Sequence, residues 1–362
     1  MRNKIKEKNL TDFALLRESL YKKPILRSLF FEITDACNMA CLHCGSHASP
    51  CKKQYLDFES IKKVATEVAK SYDPSQIMVC LTGGEPMLHP DFYEIASFIT
   101  GLGFMCGITT NATLIDKDAA QKIKDSGICS VGISLDGTEQ SHDKLRNKNG
   151  AFVKTTEGIS NLVSVSKGEI TTQVTTVVNK SNISQLDDIY NLVCILGVDS
   201  WRPINLEPIG RAKEHKDLLL DKNEFKYLLD YIREKRFSPS VSMHVTYGCS
   251  HYLGEGFENE TRDHYFMCGS GIFVASILCN GDIYSCLDIE RRPELVQGNI
   301  CKDSFVDVWE NGFEQFRRDR TALCRDCQDC SERYFCKGDS AHTWDYDNNK
   351  PMLCFKNFLK EK

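Results

Sequence analysis

The regular alternation of short apolar segments with amphipathic helical periods over residues 28–206 is the feature that most constrains the fold. Six apolar segments have the length and composition of buried parallel strands. They cover residues 29–33, 77–81, 104–109, 130–135, 172–178 and 200–206. Strands that alternate with helices predict an α/β protein with a parallel sheet and right-handed crossovers. Six strands are too few to close an eight-stranded barrel, so a partial barrel and a doubly wound sheet both fit.

The intervening helices are predicted from their periodicity and their capping residues. Asp57 is placed to begin the first helix, and Gly127 is placed to end the third. The helical periods cover residues 58–71, 91–101, 116–126, 155–165, 183–196 and 221–236. After Pro239, glycines, turn residues and cysteines replace the regular pattern, which predicts a domain boundary near residues 237–245.

Composition and charge exclude several classes of partner. The net charge is −5 and there is no basic stripe, so nothing favours nucleic acid. No apolar run approaches the ~20 residues that a membrane span needs, and the charged start does not resemble a signal peptide. We therefore expect a cytoplasmic protein. The basic residues near the start are expected to form a solvated helix face: Arg2, Lys4, Lys6, Lys8, Arg17, Lys22 and Lys23.

The chain contains 18 cysteines although it carries no secretion signal. Disulfide frameworks belong mainly to small secreted domains, so metal binding or catalysis is the better interpretation. Four cysteines stand among apolar residues and are expected to behave as small buried hydrophobic side chains: Cys80, Cys106, Cys129 and Cys194.

Three cysteines follow the first predicted strand with the spacing C-x3-C-x2-C: Cys37, Cys41 and Cys44. Three thiolates on one loop can hold three irons of a [4Fe–4S] cluster and leave the fourth iron without a protein ligand. A structural cluster is usually closed by four cysteines. The open iron therefore indicates that another molecule binds there, which favours chemistry over scaffolding.

A second group of cysteines occupies the last quarter of the chain. Asn280-Gly281 predicts a β-hairpin that carries Cys286 back towards Cys268. Further on, C-x2-C steps let two thiolates of one turn point at one metal. These later cysteines are Cys324, Cys327, Cys330, Cys336 and Cys354. Zinc knuckles use the same spacing, but the first triad favours additional iron–sulfur clusters.

Together these motifs resemble the radical S-adenosylmethionine (SAM) superfamily, in its subfamily with a C-terminal SPASM domain. The cysteine triad matches the signature of the superfamily, with His43 at its usual aromatic position. Residues 82–86, Thr-Gly-Gly-Glu-Pro, look like its GGEP motif, and residues 109–113, 134–137 and 142–146 are softer matches. The resemblance implies a partial (β/α)6 barrel similar to part of a TIM barrel, followed by a mostly irregular SPASM-type iron–sulfur domain. The expected parts are a helical extension over residues 1–27, the barrel over 28–240 and the cluster domain over 241–362.

The resemblance also implies which residues contact the cofactor. Cys37, Cys41 and Cys44 would bind a [4Fe–4S] cluster whose open iron takes SAM. Arg146 would pair with the methionyl carboxylate, for which a guanidinium is suited; the alternative is a surface residue at a helix start. The residues expected near SAM are Gly83, Gly84, Glu85, Pro86, Asn111, Ser134, Asp136 and Arg146.

Two auxiliary clusters are expected from the seven-cysteine SPASM pattern, which this chain matches except at Ser340, where a cysteine is usual. The first would take Cys268, Cys286 and the additional Cys324, with Cys249, Cys279 or an open iron completing it. The second would take Cys327, Cys330, Cys336 and Cys354.

The resemblance implies reductive cleavage of SAM to a 5′-deoxyadenosyl radical. The first interpretation is modification of a ribosomally made peptide by a thioether or carbon–carbon crosslink, or by epimerisation. Alternatives are a sulfatase maturase, a small-molecule enzyme acting on a tetrapyrrole, and a non-enzymatic electron carrier. The motifs of the cofactor pocket argue against the electron carrier, because a carrier needs no pocket for an organic cofactor. The expected partners are a peptide or protein and a reductant such as flavodoxin or ferredoxin.

Candidate catalytic residues are few. Sulfatase maturases have a carboxylate directly after the cysteine that corresponds to Cys286, whereas this chain has Asp288 one position later. Epimerisation would need a hydrogen-donating thiol, for which Cys249 and Cys51 are candidates; a structural role is the alternative for both.

Overall fold

The structure, a computed structural model, describes residues 2–238, 243–248, 250–254, 256–355 and 358. Six parallel strands follow one another across the sheet in sequence order. They are β1 Ser28–Thr34, β2 Met78–Gly83, β3 Met105–Thr110, β4 Ser130–Ser134, β5 Thr171–Val178 and β6 Ser200–Asn205. A doubly wound sheet would reverse its strand order, so the predicted partial barrel is the architecture present.

The predicted helices are present between and after these strands. Asp57 caps the second helix by accepting from the Ser60 N–H at 2.8 Å, and Gly127 follows the fourth with a φ of +79°. One helix was not expected, Glu139–Arg146, because its sequence contains a single apolar residue. The helices are α1 Arg2–Lys22, α2 Phe58–Ser71, α3 Phe92–Gly101, α4 Lys117–Asp125, α5 Glu139–Arg146, α6 Ala151–Ser166, α7 Leu186–Leu196 and α8 Lys222–Arg236.

One extended hydrophobic core lies between the sheet and the surrounding helices. Trp201 of β6 is fully buried in it, with its ring against Tyr190 of α7 and Tyr231 of α8. Because neighbouring side chains on a strand point to opposite faces, Arg202 points to the interior of the barrel. Of the four cysteines expected in apolar surroundings, Cys106 is buried and Cys80, Cys129 and Cys194 are partly buried.

Residues beyond position 240 extend the sheet at both edges. β7 pairs with β6, and β8 lies parallel to β1. The predicted hairpin joins β8 to β9 through Gly281, which has a φ of +86°. These strands are β7 His244–Val245, β8 Val274–Ile277, β9 Asp282–Tyr284 and β10 Gly298–Asn299. The domain limits themselves stay a prediction.

The remaining C-terminal part is mostly irregular, as predicted, with only short elements. They are α9 Phe305–Asn311, α10 Arg325–Gln328, α11 Arg333–Cys336, β11 Trp344–Asp345 and β12 Lys350–Pro351. No helix among the described residues combines the length and the apolar character that crossing a membrane requires.

Helix α1 packs on α11, which corrects the expectation of a wholly solvated basic face. Arg17 is only 2% exposed, and its guanidinium donates to the backbone carbonyls of Tyr334 and Phe335. Glu18 pairs with Lys337 at 2.7 Å. The reason is that Arg17 satisfies carbonyl groups of a four-residue helix that lack partners within the helix.

Candidate active site

The loop that follows β1, residues 35–49, brings Cys37, Cys41 and Cys44 together in one small apolar cluster. Cys37 and Cys41 are buried, and Cys44 is partly buried. Burial raises the pKa of Cys37 to about 12. The Cys37 thiol therefore carries a proton at neutral pH, and binding a metal would displace that proton.

Two distant segments fix the cysteine loop. The Leu42 N–H donates to the Leu145 carbonyl at 2.9 Å. The guanidinium of Arg211 donates to the carbonyls of Cys41 at 2.7 Å and Ala48 at 2.9 Å. Arg211 was missed by sequence reasoning, because it lies 170 positions from Cys41 in a segment without a recognisable motif.

The glycines at the end of β2 let this strand pack directly on the cysteine loop. A Cβ atom at Gly84 would overlap the carbonyl oxygen of Ala36 and lie 2.9 Å from Cβ of Cys37. Gly83 has a φ of +152°, and a Cβ there would overlap the carbonyl oxygen of Thr34. The Gly84 N–H donates to that same carbonyl at 2.8 Å. The two glycines are thus required by the close approach of two backbones.

Glu85 joins the end of β2 to the end of β3. Its carboxylate accepts from Thr110 Oγ1 and from the Asn111 N–H, both at 2.8 Å. Burial raises the pKa of Glu85 to about 7 despite these hydrogen bonds. The Asn111 side chain in turn donates to Asn38 of the cysteine loop at 2.8 Å. Asn38 is a second contact that the sequence did not reveal.

Arg146 lies beneath the cysteine loop in a buried ion pair. Its Nη2 is 2.5 Å from Oδ2 of Asp136, and its Nη1 is 3.8 Å from Sγ of Cys41. Burial alone would raise the pKa of Asp136, but Arg146 holds it below its usual value. The surface alternative for Arg146 is wrong, because the residue is 7% exposed. The guanidinium of Arg146 is predicted to pair with a cofactor carboxylate, but in this structure it already contacts Asp136 and Cys41.

Seven of the eight residues predicted to contact SAM lie at the C-terminal ends of β2, β3 and β4 or directly beyond them, and the eighth, Arg146, ends α5 and pairs with Asp136. Sites in parallel α/β folds gather at this edge. The set comprises Gly83, Gly84, Glu85, Pro86, Asn111, Ser134, Asp136 and Arg146.

The C-terminal cysteines divide into two groups. Five line one cavity of about 250 Å³: Cys324, Cys327, Cys330, Cys336 and Cys354. Neither Cys268 nor Cys286 is among the residues that line this cavity. The sequence placed Cys324 with these two, whereas in the structure Cys324 shares a turn with Cys327 and lines the cavity.

Cys268 and Cys286 lie elsewhere, near the hydroxyl of Tyr346. Sγ of Cys268 accepts from the Ala341 N–H at 3.3 Å. The hydroxyl of Ser340, at the position where a cysteine is usual, donates to the carbonyl of Ser250.

Cys51 and Cys279 are not among the residues that line the cysteine cavity. The Cys279 N–H donates to Oε1 of Glu32 at 3.3 Å, and burial raises the pKa of the Cys279 thiol to about 12. Cys249 lies outside the described residues. Cys51 and Asp288 are exposed.

The donor set fits iron–sulfur clusters. Among the described residues, no three His, Cys, Asp or Glu side chains are close enough together to hold a single metal ion. A [4Fe–4S] cluster instead takes a thiolate at each separate iron. The two thiol sites, with three and five cysteines, supply the soft sulfur ligands that such clusters use.

A buried charge network that the sequence did not indicate joins the barrel to the C-terminal part. His251 is fully buried between Glu207, just beyond β6, and Asp339, whose Oδ2 is 2.6 Å from Nδ1 of the histidine. Burial alone would lower the pKa of His251, but the two carboxylates raise it to about 9. Asp339 also lines the five-cysteine cavity.

Comparison with known proteins agrees with this geometry. The family model of the radical SAM superfamily matches residues 31–193, and that of the SPASM iron–sulfur cluster-binding domain matches residues 268–331. The chain is 28% identical to the AdoMet-dependent heme synthase of Nitratidesulfovibrio vulgaris, covering 92% of this chain and 93% of that protein. It is also 28% identical to the mycofactocin maturase MftC of Mycobacterium tuberculosis, covering 86% and 77%.

Solved structures share the fold at low sequence identity. SuiB of Streptococcus suis bound to S-adenosylmethionine superposes with a TM-score of 0.71 at 16% identity, covering 87% of this chain and 73% of SuiB. Native anSMEcpe with bound AdoMet superposes with a TM-score of 0.70 at 18% identity, covering 92% and 94%. The chain therefore contains a radical SAM domain with a SPASM iron–sulfur cluster-binding domain behind it, and uses SAM and iron–sulfur clusters as cofactors.

Proposed function

We propose that this radical SAM enzyme modifies a peptide during its maturation, by a thioether or carbon–carbon crosslink or by epimerisation. The observation that carries the enzymatic part is the cysteine loop, which presents three thiols against the glycine edge of β2. Cys37, Cys41 and Cys44 would hold the cluster. The chemistry supplied when cluster and SAM are bound is one-electron cleavage of the sulfonium, which yields a radical able to take a hydrogen atom from substrate.

The protein's own residues position this site. Gly83 and Gly84 allow β2 to approach the cysteine loop, and Arg211 holds the loop through two of its backbone carbonyls. Arg146 places a positive charge next to Cys41, which favours the thiolate form that binds metal. Met39, Ala48 and Ala151 pack with the buried Cys37 and Cys41 and shield these two thiols from water.

A peptide substrate is supported by the mycofactocin maturase among the relatives. It is also supported by two solved structures of the same fold, SuiB bound to precursor peptide SuiA and anSMEcpe bound to the Cp18Cys peptide. No peptide-binding residues of this chain follow from these structures, because their sequence identities are 17% and 19%.

A second candidate is an iron tetrapyrrole, because heme synthases match this chain over more than 90% of both lengths. A specific residue agrees with a substrate that carries carboxylates. Arg202 on β6 stands in register with Thr175 on β5, which is in register with Ser134 on β4. Since neighbouring strands lie about 4.8 Å apart, Arg202 is roughly 10 Å from Ser134 along this row.

Arg202 is a cation without a carboxylate partner in the described part of the chain. Its one hydrogen bond there runs from Nε to Oγ1 of Thr175 at 3.2 Å. The acidic residues near the strand ends already have partners: Glu32 pairs with Arg291 and Asp136 with Arg146, each at 2.5 Å, and Glu207 pairs with His251. A carboxylate of the substrate would satisfy the guanidinium of Arg202.

The test is to offer the reduced holoenzyme two substrates in the presence of SAM. One is a synthetic peptide from any short open reading frame beside the gene, and the other is Fe-coproporphyrin III. The proposal expects a change in the mass of the peptide that requires SAM. A change confined to the porphyrin would overturn the proposal of a peptide substrate and establish the second candidate. In that case the Arg202→Gln variant should lose most of its turnover of the porphyrin, whereas the Arg27→Gln control should keep it.

A further inference from the structure

The segment that follows β6 contacts the backbone of the cysteine loop through Arg211. The N–H of this residue donates to the Cys44 carbonyl at 3.1 Å. Its guanidinium donates from Nε to the Cys41 carbonyl at 2.7 Å and from Nη2 to the Ala48 carbonyl at 2.9 Å. Arg211 is thus hydrogen-bonded to the loop at two of the three cysteines that would hold the cluster.

Gly210 makes this approach possible. It has a φ of +58°, and a Cβ atom there would overlap the carbonyl oxygen of Cys44 and lie 2.6 Å from Cα of Gly45. Both neighbours are backbone atoms, which cannot turn away as a side chain can. The two backbones therefore determine the place of the Arg211 guanidinium relative to the loop.

Arg211 brings a positive charge that forms no ion pair in the part of the chain that the structure describes. Its side-chain hydrogen bonds go to carbonyl oxygens. Arg146, the other guanidinium at the cysteine loop, differs, because its Nη2 lies 2.5 Å from Oδ2 of Asp136. Arg146 and Asp136 together add no net charge to the site, whereas Arg211 adds one positive charge.

The charge of Arg211 acts on a group of the loop itself. Partial burial lowers the pKa of His47, and the positive charge of Arg211 lowers it further, because a nearby cation disfavours protonation of the imidazole. His47 directly precedes Ala48, whose carbonyl accepts from the same guanidinium. A group with a negative charge in the loop would be stabilised by this cation for the same reason.

Reduction adds one electron, and therefore one negative charge, to an iron–sulfur cluster. Net charge, hydrogen bonds and solvent exposure set the reduction potential of such clusters. A fixed cation beside the ligands stabilises the reduced form more than the oxidised form, and water screens this effect little where the groups are buried. Cys41 is buried and Arg211 is half-buried, so little screening is expected between them.

We propose that Arg211 raises the reduction potential of the [4Fe–4S] cluster that the cysteine loop would hold. Its charge acts from a place fixed by the carbonyls of Cys41 and Ala48. Arg146 does not replace it, because Asp136 neutralises Arg146. The proposal rests on the enzymatic part of the proposed function, the cluster at the cysteine loop, and on neither candidate substrate.

The experiment is a redox titration of the full-length, reconstituted holoenzyme, followed by electron paramagnetic resonance without SAM or substrate. The cluster of the cysteine loop is identified as the signal that Cys41→Ala lacks. Arg211→Gln removes the charge and keeps an N–H donor, whereas Arg211→Lys keeps the charge. Lys216→Gln, which removes an exposed cation from the same segment, is the matched control. Iron analysis checks that the variants compared hold equal amounts of iron.

Arg211→Gln should shift the midpoint potential of this signal to a more negative value. Arg211→Lys and Lys216→Gln should keep the potential of the wild type. An Arg211→Gln holoenzyme with full iron content and an unchanged potential would overturn the proposal. So would an Arg211→Lys variant whose potential falls as far as that of Arg211→Gln, because the shift would then follow the hydrogen bonds rather than the charge.

A second pair of variants decides if Arg211→Gln does not assemble the cluster. His47→Asp places a carboxylate next to Arg211, and His47→Asn places a side chain of the same shape without the charge. Both residues tolerate the φ of +56° at this position. The potential of His47→Asp should be the more negative of the two, and equal potentials would overturn the proposal. Because the titration contains no substrate, a failure to modify either the peptide or the porphyrin leaves this test unaffected.

Discussion

Arg146 illustrates how much one buried side chain can connect. It pairs with Asp136 beyond β4 and reaches Cys41 of the cysteine loop, so a single guanidinium links the sheet edge to the metal-binding thiols. Arginine suits this position because its planar fork can bond two acceptors at once. Lysine would supply the charge but not both contacts.

The Arg146→Gln variant should therefore be strongly destabilised, since it leaves the fully buried Asp136 without its cation. Breaking a buried pair typically costs about 3–5 kcal/mol. Urea denaturation of the variant and of the exposed control Arg27→Gln measures the difference. Equal stability of the two variants would contradict the described ion pair.

The sequence predicted residues better than it predicted their partners. Cys37, Cys41, Cys44 and the Gly83–Gly84 pair were identified from spacing, and the structure brings them into contact. The long-range partners Arg211 and Asn38 were missed, because such contacts depend on which chain segments meet in space. The burial of Arg17 was missed for the same reason.

At the scale of elements, the end of β2 determines where the cysteine loop lies. The close approach of Gly84 to Ala36 and Cys37 leaves no room for a side chain. Gly101, at the end of α3, differs in this respect, because nothing lies within 4 Å of the Cβ it would carry.

Gly84→Ala should therefore displace the cysteine loop and lower the iron content of the reconstituted protein. Gly101→Ala should keep that iron content and gain up to about 1 kcal/mol of stability, since alanine favours a helix over glycine. Iron analysis and urea denaturation of both variants check this. A Gly84→Ala variant with full iron content would refute the steric argument.

Element types were more predictable than element contacts. All six barrel strands were anticipated, because buried parallel strands are continuous apolar segments. Helix α5 was missed, because Glu139–Arg146 offers a single apolar residue and its stability comes from contacts to the loop and to α6. The position of Cys324 at the lining of the cavity also required the tertiary structure, since the sequence pattern placed Cys324 with Cys268 and Cys286.

At the scale of the whole molecule, the His251 network joins the barrel to the C-terminal part. The imidazole lies between Glu207, beyond the last barrel strand, and Asp339, beside the cysteine cavity. A shift in the pKa of His251 to about 9 means that the folded protein keeps a proton that the unfolded chain releases near pH 6.5.

The stability that His251 contributes should be fully present below pH 6.5 and should be lost as the pH rises through about 9. The loss is on the order of 3 kcal/mol, since one pKa unit corresponds to about 1.4 kcal/mol. The difference in unfolding free energy between the wild type and His251→Asn, followed from pH 6 to pH 10, isolates the contribution of His251 to stability. The exposed His244→Asn is the control, and a difference that stays constant with pH would contradict the assignment.

If the cysteine loop makes this chain a radical SAM enzyme, the reduced holoenzyme should cleave SAM, and formation of 5′-deoxyadenosine under anaerobic conditions measures that cleavage. The wild type and the Cys301→Ala control should form 5′-deoxyadenosine, whereas Cys41→Ala should form none while keeping its C-terminal clusters. A wild-type chain that forms none with its clusters intact, or a Cys41→Ala variant as active as the wild type, would contradict the account.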